Sequence, residues 1–249
     1  MSSSRRILNE PAWLLHHRPF RDSSRILDIL SRDHGRLSLV ARGSRSANSK
    51  LKGILRPFMP LQLSWVIRSD MGTLTGAEMN GPPIALTGDA LLSGYYVNEL
   101  LLNLLHRHDP QAEIHAAYGN TINALNRAAD VAATLRRFEL EMLGLLGYAL
   151  NLDHDSRGRS ELRDEQMYEY RAEQGPVAVD SRDGPMVFSG RELRRIAEQD
   201  FADATTLKNA GRLLRQVIAW HLGGKELKSR KVLMEMRGTA DRQIRVDWL

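Results

Sequence analysis

The chain contains no cysteine, so neither a disulfide framework nor a thiolate metal site is available to it. It also lacks an apolar run that approaches the roughly 18–20 residues needed to cross a membrane. The densest candidate, residues 91–105, is interrupted by Asn98, Glu99 and Asn103. The first residues include two arginines but no apolar segment typical of a secretory signal. These absences predict a soluble cytoplasmic protein of about two domains.

Catalytic and nucleotide-binding motifs are lacking as well. Residues 223–225 resemble part of a phosphate loop, but Ala219 occupies the earlier glycine position and Glu226 follows the lysine. No G-x-S-x-G or H-E-x-x-H motif occurs. Two polar clusters, residues 106–109 and 153–155, contain metal-ligating residue types, but a helix end and a polar loop explain them better. The sequence therefore predicts a protein that is not an enzyme and needs no metal or cofactor.

Positive charge is unevenly distributed, although the net charge is only +5. Residues 1–80 carry 13 Lys/Arg against 6 acidic residues, and residues 205–249 carry 10 against 4. The part between them is more acidic. Two basic regions that flank an acidic middle indicate contact with a polyanion, although solvation of the surface alone would also use such charges.

The most informative basic segment spans residues 35–58. Apolar and polar residues alternate from residue 37 to residue 41, which is typical of a strand with one buried face. A Gly/Ser/Asn-rich loop follows, and residues 32–56 hold seven Lys/Arg and one acid. A basic, flexible loop on a small β-domain suits a phosphate backbone better than a small-molecule pocket. Nearby aromatic residues offer rings for base stacking: Phe20, Phe58 and Trp65. The apolar stripe around Trp65 favours core packing for that ring.

Five short apolar stretches predict a β-domain over residues 11–80. They are separated by turn residues and cover residues 13–15, 26–30, 37–41, 61–67 and 73–77. Regularly spaced short strands indicate a small sandwich or barrel. A Gly-Pro-Pro sequence at residues 81–83 ends the pattern and marks a domain boundary.

From residue 88 onward the apolar residues recur at helical spacing. The pattern predicts five helices, which begin near residue 89, after Pro110, near residue 130, after Ser189 and near residue 203. Ser189 and Glu192 have the spacing of a capping box, and two glycines after residue 222 form a helix stop signal. The polar stretch 151–188 interrupts the helices. Only a small hairpin, from residues 167–170 and 177–179, is predicted within it.

The third predicted helix pairs a cation with an apolar side chain. Arg136 and Leu140 are four residues apart and therefore share a helical face. Such a pair suits a peptide that carries a carboxylate and a hydrophobic side chain. Taken alone, an ordinary amphipathic helix explains the segment better.

Five segments together resemble the RecO family of bacterial recombination mediators. They are GRLSLVARGSR (35–45), SKLKGILRPF (49–58), YYVNELL (95–101), LRRFELEMLGLLGY (135–148) and HLGGKELKSR (221–230). The resemblance implies an α+β multidomain protein. An N-terminal OB-fold β-barrel over residues 1–80 precedes an all-helical domain, formed by residues 81–150 and 189–249, with a small insert at 151–188. Many relatives hold zinc in this insert through four cysteines, so a metal-free insert is expected here.

The same resemblance implies a function in DNA repair and recombination. RecO proteins are non-enzymatic mediators that bind single- and double-stranded DNA and anneal complementary strands. With RecR they promote RecA loading onto DNA coated by the single-strand-binding protein SSB. The segment with Arg136 and Leu140 matches the region that receives the C-terminal tail of SSB. The expected DNA contacts are Arg36, Arg42, Arg45, Lys50, Lys52, Arg56, Lys225, Lys228 and Arg230.

Two other functions stay open at this point. An OB-fold RNA-binding module would also use a basic loop, and binding of SSB and RecR would separate it from a mediator. A metal-dependent nuclease would cleave labelled DNA in the presence of Mg²⁺ or Mn²⁺. The expected location is the bacterial cytoplasm, in association with the nucleoid.

Overall fold

A computed structural model describes residues 5–67, 71–127, 130–158 and 160–232. The chain divides into two compact units, Met1–Ala129 and Asp130–Leu249. The expected α+β class is confirmed, because the first unit contains a β-barrel with helices and the second combines helices with a small sheet. Within the described ranges, no helix is long and apolar enough to span a bilayer.

Five strands form a closed barrel in the order β1-β2-β3-β5-β4. They are β1 (Arg5–Phe20), β2 (Ser24–Ser31), β3 (Gly35–Ala41), β4 (Pro60–Ile67) and β5 (Gly72–Met79). Neighbouring strands are antiparallel except β3 and β5, which are parallel and close the barrel. A five-stranded barrel of this kind is the OB-fold that the family resemblance implies. All five predicted strands are confirmed, although β1 is far longer than the predicted residues 13–15.

Alternation along the strands fills the barrel with apolar side chains. The buried core includes Leu14, Leu27, Ile29, Leu37, Leu39, Leu61, Leu63 and Trp65. Trp65 is fully buried, which confirms its predicted packing in the core. A short helix between β3 and β4, α1 (Leu51–Ile54), adds Leu51 and Ile54 to the same core, and the next residue, Leu55, is fully buried there.

Two helices, α2 (Gly88–Leu104) and α3 (Ala112–Asn126), pack on the outside of the barrel. Trp13 of β1 meets Tyr118 edge-on at 5.3 Å between ring centroids. The Tyr118 hydroxyl donates to Asn98 Oδ1 at 2.7 Å, and Asn98 Nδ2 donates to the carbonyl of Leu15 at 2.8 Å. These contacts form a second core, which joins both helices to the barrel and explains why the first unit extends to residue 129.

The second unit contains a three-stranded sheet with the order β7-β6-β8, together with helices. Its elements are α4 (Val131–Leu145), β6 (Met167–Arg171), β7 (Gly175–Val179), β8 (Val187–Ser189), α5 (Gly190–Ala197) and α6 (Ala204–His221). The predicted hairpin is confirmed as β6 and β7, and β8 is an additional strand. The capping box of Ser189 and Glu192 is present at the start of α5. Asp130 caps α4 by accepting a hydrogen bond from the backbone N–H of Ala133 at 3.0 Å.

A candidate nucleic-acid interface

The connection between β3 and β4 is a folded segment tied to the barrel. Its composition predicted a flexible loop, but the backbone N–H of Arg45 donates to the carbonyl of Ser23 at 2.8 Å. The buried Ser44 hydroxyl donates to the carbonyl of Ala41 at 2.8 Å, and Leu55 is fully buried at the other end. The segment is therefore anchored at both ends. Its cations are exposed to solvent: Arg42, Arg45, Lys50, Lys52 and Arg56.

The aromatic residues near this segment are mostly unavailable for base stacking. Phe58 is 4% exposed and Trp65 is fully buried, so both rings belong to the protein interior. Phe20 is half-buried at the end of β1, and the guanidinium of Arg21 lies 5.1 Å from its ring centroid. Of the three candidates, Phe20 alone presents part of its ring to solvent.

A second positive feature lies on the barrel wall, where the main chain of Arg36 in β3 forms an isolated β-bridge with that of Arg107, after α2. Arg107 Nη2 donates to Ser38 Oγ at 3.0 Å and lies 3.8 Å from Asp28 Oδ1. Partial burial, and then repulsion from Arg107, lower the pKa of Arg36. Two guanidinium groups beside one carboxylate leave an excess of positive charge that an anion would relieve. Arg107 was not predicted, because it lies far from Arg36 along the chain.

The remaining predicted cations lie in the second unit, after α6. Lys225 and Lys228 are exposed, whereas Arg230 is half-buried. The rest of the basic C-terminal tail, residues 233–249, lies outside the described residues. The expected DNA contacts therefore fall into two groups, one in each compact unit.

The proposed peptide-binding cation, Arg136, lies in the interior. Its side chain is 3% exposed, and Nη2 is 2.7 Å from Oε1 of Glu139, which is 1% exposed. The exposed cation of α4 is Arg137, whose guanidinium lies 5.5 Å from the ring centroid of Phe201. Leu140 is half-buried on the same side of the helix as Arg137. The structure therefore brings Leu140 next to Arg137 on the accessible surface, and it pairs Arg136 with an internal carboxylate.

Neither polar cluster of the sequence, residues 106–109 or residues 153–155, belongs to a metal-binding group among the described residues. His154 Nδ1 lies 2.9 Å from Asp153 Oδ1, which is a local pair on the surface. In the part of the chain that the structure describes, no three His, Cys, Asp or Glu side chains come together in a metal-binding arrangement.

Comparison with known proteins gives matches over nearly the whole chain. Residues 4–82 match the family described as Recombination protein O N terminal, and residues 85–231 match Recombination protein O C terminal. A DNA repair protein RecO from Azoarcus sp. strain BH72 is 42% identical over 240 residues, which cover 95% of this chain and 99% of the relative. The RecO of Nitrosococcus oceani is 40% identical, with 93% and 95% covered. That of Coxiella burnetii strain RSA 493 is also 40% identical, with 92% and 99% covered.

Proposed function

The chain belongs to the RecO family, and we propose that it acts as a non-enzymatic recombination mediator in DNA repair. It binds single- and double-stranded DNA and anneals complementary strands in the bacterial cytoplasm, at the nucleoid. Together with RecR it promotes RecA loading onto single strands coated by SSB. The observation that carries this proposal is the OB-fold barrel with five exposed cations on one anchored segment, Arg42–Arg56.

The anchored segment suits a phosphate backbone for two physical reasons. Each cation that neutralises a phosphate releases condensed counterions, so several cations together give strong binding without reading the sequence. Because Leu55 and Ser44 are buried, the main chain that carries the cations is already ordered before DNA arrives. Little conformational entropy is then lost on binding.

Annealing requires that two negatively charged strands approach each other. A protein with cations in both of its compact units lowers the repulsion between the strands, because each unit neutralises phosphates. The step that follows is base pairing, which needs no chemical energy from a nucleotide. The proposed activity is therefore independent of ATP.

Removal of the exposed cations is expected to reduce the salt dependence of DNA binding. If about four to six phosphates are contacted, log K against log[salt] for a single strand has a slope of about −3 to −4. Replacing Arg42, Lys50, Lys52 and Arg56 with alanine leaves at most about two of these contacts, so the slope should flatten to between about 0 and −1.5 and annealing should slow. Arg45 is kept, because its Nη1 also donates to the carbonyl of Arg21 at 3.1 Å. Fluorescence anisotropy over a salt series measures the slope.

A matched variant controls for the loss of charge itself. Alanine at Arg127, Arg157, Arg182 and Lys208 also removes four exposed cations, but it leaves the anchored segment intact. For this variant, the slope of log K against log[salt] should differ from that of the original protein by less than about one unit. Equal slopes for the two variants would place the main DNA contact outside the anchored segment and contradict the proposal.

For the SSB tail, we propose a contact on α4 that uses Leu140 and the exposed Arg137. The tail is an acidic peptide that ends in a phenylalanine carboxylate, so its receptor needs a cation and an apolar wall. Arg137 and Leu140 share the accessible surface of the helix, whereas Arg136 already pairs with Glu139. In this arrangement Arg136 supports the helix from inside.

Replacing Arg137 with alanine is expected to weaken binding of a tail peptide about tenfold. The lost contact is a charge-assisted hydrogen bond of about 1.5–3 kcal/mol. Isothermal titration with the purified variant measures the change, and binding of bare DNA should stay the same. Arg157→Ala removes an exposed charge of the same unit and serves as the control. A loss no larger than that of the control would exclude Arg137 as the receptor.

A further inference from the structure

The second unit contains a cleft that the contacts described above do not use. Its volume is about 260 Å³, and it lies where the ends of α4 and α6 meet the hairpin of β6 and β7. Tyr148, which follows α4, stacks on His221 at the end of α6, with 4.1 Å between ring centroids and 25° between ring planes. Tyr148 is 45% exposed, so one part of its ring remains open to a ligand.

Hydrogen bonds of the main chain close both helix ends that carry these rings. After α4, Gly147 has φ +83°, and the backbone N–H of Tyr148 donates to the carbonyl of Leu143 at 2.8 Å. After α6, Gly223 has φ +61°, and Gly224 N–H donates to the carbonyl of Ala219 at 3.0 Å. Both ends are Schellman motifs, in which a left-handed glycine closes the last turn of the helix. The main chain on both sides of the stack is therefore ordered before any ligand binds.

The walls of the cleft offer polar groups beside the aromatic surface. Glu173 and Gln174, from the turn between β6 and β7, contribute a carboxylate and an amide. Burial raises the pKa of Tyr170 to about 12, and its phenol, like that of an ordinary tyrosine, is protonated at neutral pH. Burial lowers the pKa of His221, which leaves a neutral imidazole in the stack. An aromatic surface with hydrogen-bonding groups at its edge suits a flat, neutral heterocycle.

The residues around the cleft indicate the class of ligand, which is a base of a nucleic-acid strand. The stacked rings of Tyr148 and His221 supply the aromatic surface of the cleft. The segment directly after α6 carries the exposed cations Lys225 and Lys228. A strand needs both features, since its bases stack on aromatic rings and its phosphates need positive charge. Glu173 in the cleft itself would repel a phosphate, but its carboxylate accepts hydrogen bonds from the amino group of a base.

We propose that this cleft binds one unpaired base of single-stranded DNA, stacked on Tyr148 and hydrogen-bonded through its amino group to Glu173. The proposal rests on the proposed DNA-binding function, and it adds a contact that only an unpaired strand can make. A paired base is stacked on both faces inside the duplex, so neither face is available to Tyr148. The cleft therefore distinguishes single strands from duplexes, which cations alone do not.

Replacing Tyr148 with alanine is expected to weaken binding of an oligodeoxycytidylate about tenfold and to leave duplex binding unchanged. The factor corresponds to the loss of about one stacked base. Tyr148→Phe keeps the ring and should bind like the original protein, which separates stacking from any effect of the hydroxyl. Replacing Glu173 with glutamine should reduce the preference for cytosine over thymine, since thymine has no amino group. Anisotropy titrations with oligomers of equal length measure all three variants.

Photochemical crosslinking gives an independent test of the contact. An oligodeoxycytidylate with one 5-iododeoxycytidine should crosslink to the peptide that contains Tyr148, and the Tyr148→Ala variant should lose that product. If the original protein does not bind single-stranded DNA, the proposed DNA-binding function itself is contradicted. If it binds and loses affinity on removal of the barrel cations, but Tyr148→Ala binds both DNA forms normally, only the base-binding cleft is refuted.

Discussion

Replacing Glu139 with alanine is expected to destabilise the second unit by about 3–5 kcal/mol. Glu139 is 1% exposed and lies 2.7 Å from Nη2 of Arg136, which is 3% exposed. Without the carboxylate, the guanidinium stays buried with an uncompensated charge, because arginine does not lose its proton in proteins. Urea unfolding followed by circular dichroism should show a lower midpoint with an unchanged slope.

The double variant Arg136→Met, Glu139→Leu separates the charge from the packing. A buried ion pair that is replaced by apolar residues of similar volume often costs little stability. The double variant should therefore regain most of the free energy of unfolding that Glu139→Ala loses. If the double variant is as unstable as Glu139→Ala, the loss of stability does not come from the charge left on Arg136, and this explanation is wrong.

The same double variant tests the role of Arg136 in peptide binding. If Arg137 and Leu140 form the receptor, a folded double variant should bind the tail peptide as the original protein does. If it loses binding while Arg137→Ala keeps it, the buried pair opens to admit the carboxylate of the peptide. That result would favour the assignment implied by the family resemblance over the one proposed for the exposed surface.

Replacing Gly35 with alanine is expected to destabilise the first unit by about 4 kcal/mol or more. Gly35 begins β3 with φ +66°, a conformation that side chains with a β-carbon adopt only with strain. A β-carbon there would also lie 2.1 Å from the carbonyl oxygen of Asp109. This oxygen belongs to the main chain between α2 and α3, so relieving the overlap requires the backbone of that connection or of β3 to shift. Thermal unfolding of the variant measures the loss.

Gly43 provides a matched control, because its φ is also +66°. A β-carbon at this position would meet its nearest neighbour, Ser46 Oγ, at 3.9 Å, which is an ordinary contact. Gly43→Ala should therefore cost only the conformational strain of about 1 kcal/mol. If the two variants lose equal stability, the close approach of Asp109 to Gly35 is unimportant for the fold.

Much of the fold follows from local patterns, because the alternation of strands and the caps of helices are local properties. The capping box at Ser189 is an example, since two side chains three residues apart complete it. The extent of β1 could not be predicted in this way. Its last residues, His16–Phe20, are polar or aromatic and contain Pro19, and they become a strand through antiparallel pairing with β2. The three-residue strand β8 is likewise too short to give a pattern of its own.

The candidate site was less predictable than the fold. Charge clusters identified the exposed cations between residues 42 and 56, because solvation keeps such side chains at the surface. Helical spacing placed Arg136 and Leu140 on a shared face, but it could not show how much of α4 the neighbouring elements cover. Glu139 lies three residues after Arg136, a spacing that allows an ion pair within one helix. The sequence therefore did contain an indication that Arg136 pairs internally. The contact of Arg36 with Arg107 depends on the tertiary fold and leaves no local signal.

The anchored segment also determines where this barrel tolerates changes in chain length. Leu51, Ile54 and Leu55 reach the core at a spacing that matches one turn of α1, so an insertion or deletion among them would withdraw apolar side chains from the barrel. Residues 46–48, which follow the anchored Arg45, are exposed and hold no core side chain, so added residues there are accommodated at a small entropic cost. The length of the loop before α1 can therefore change in this chain while the barrel beneath it stays the same.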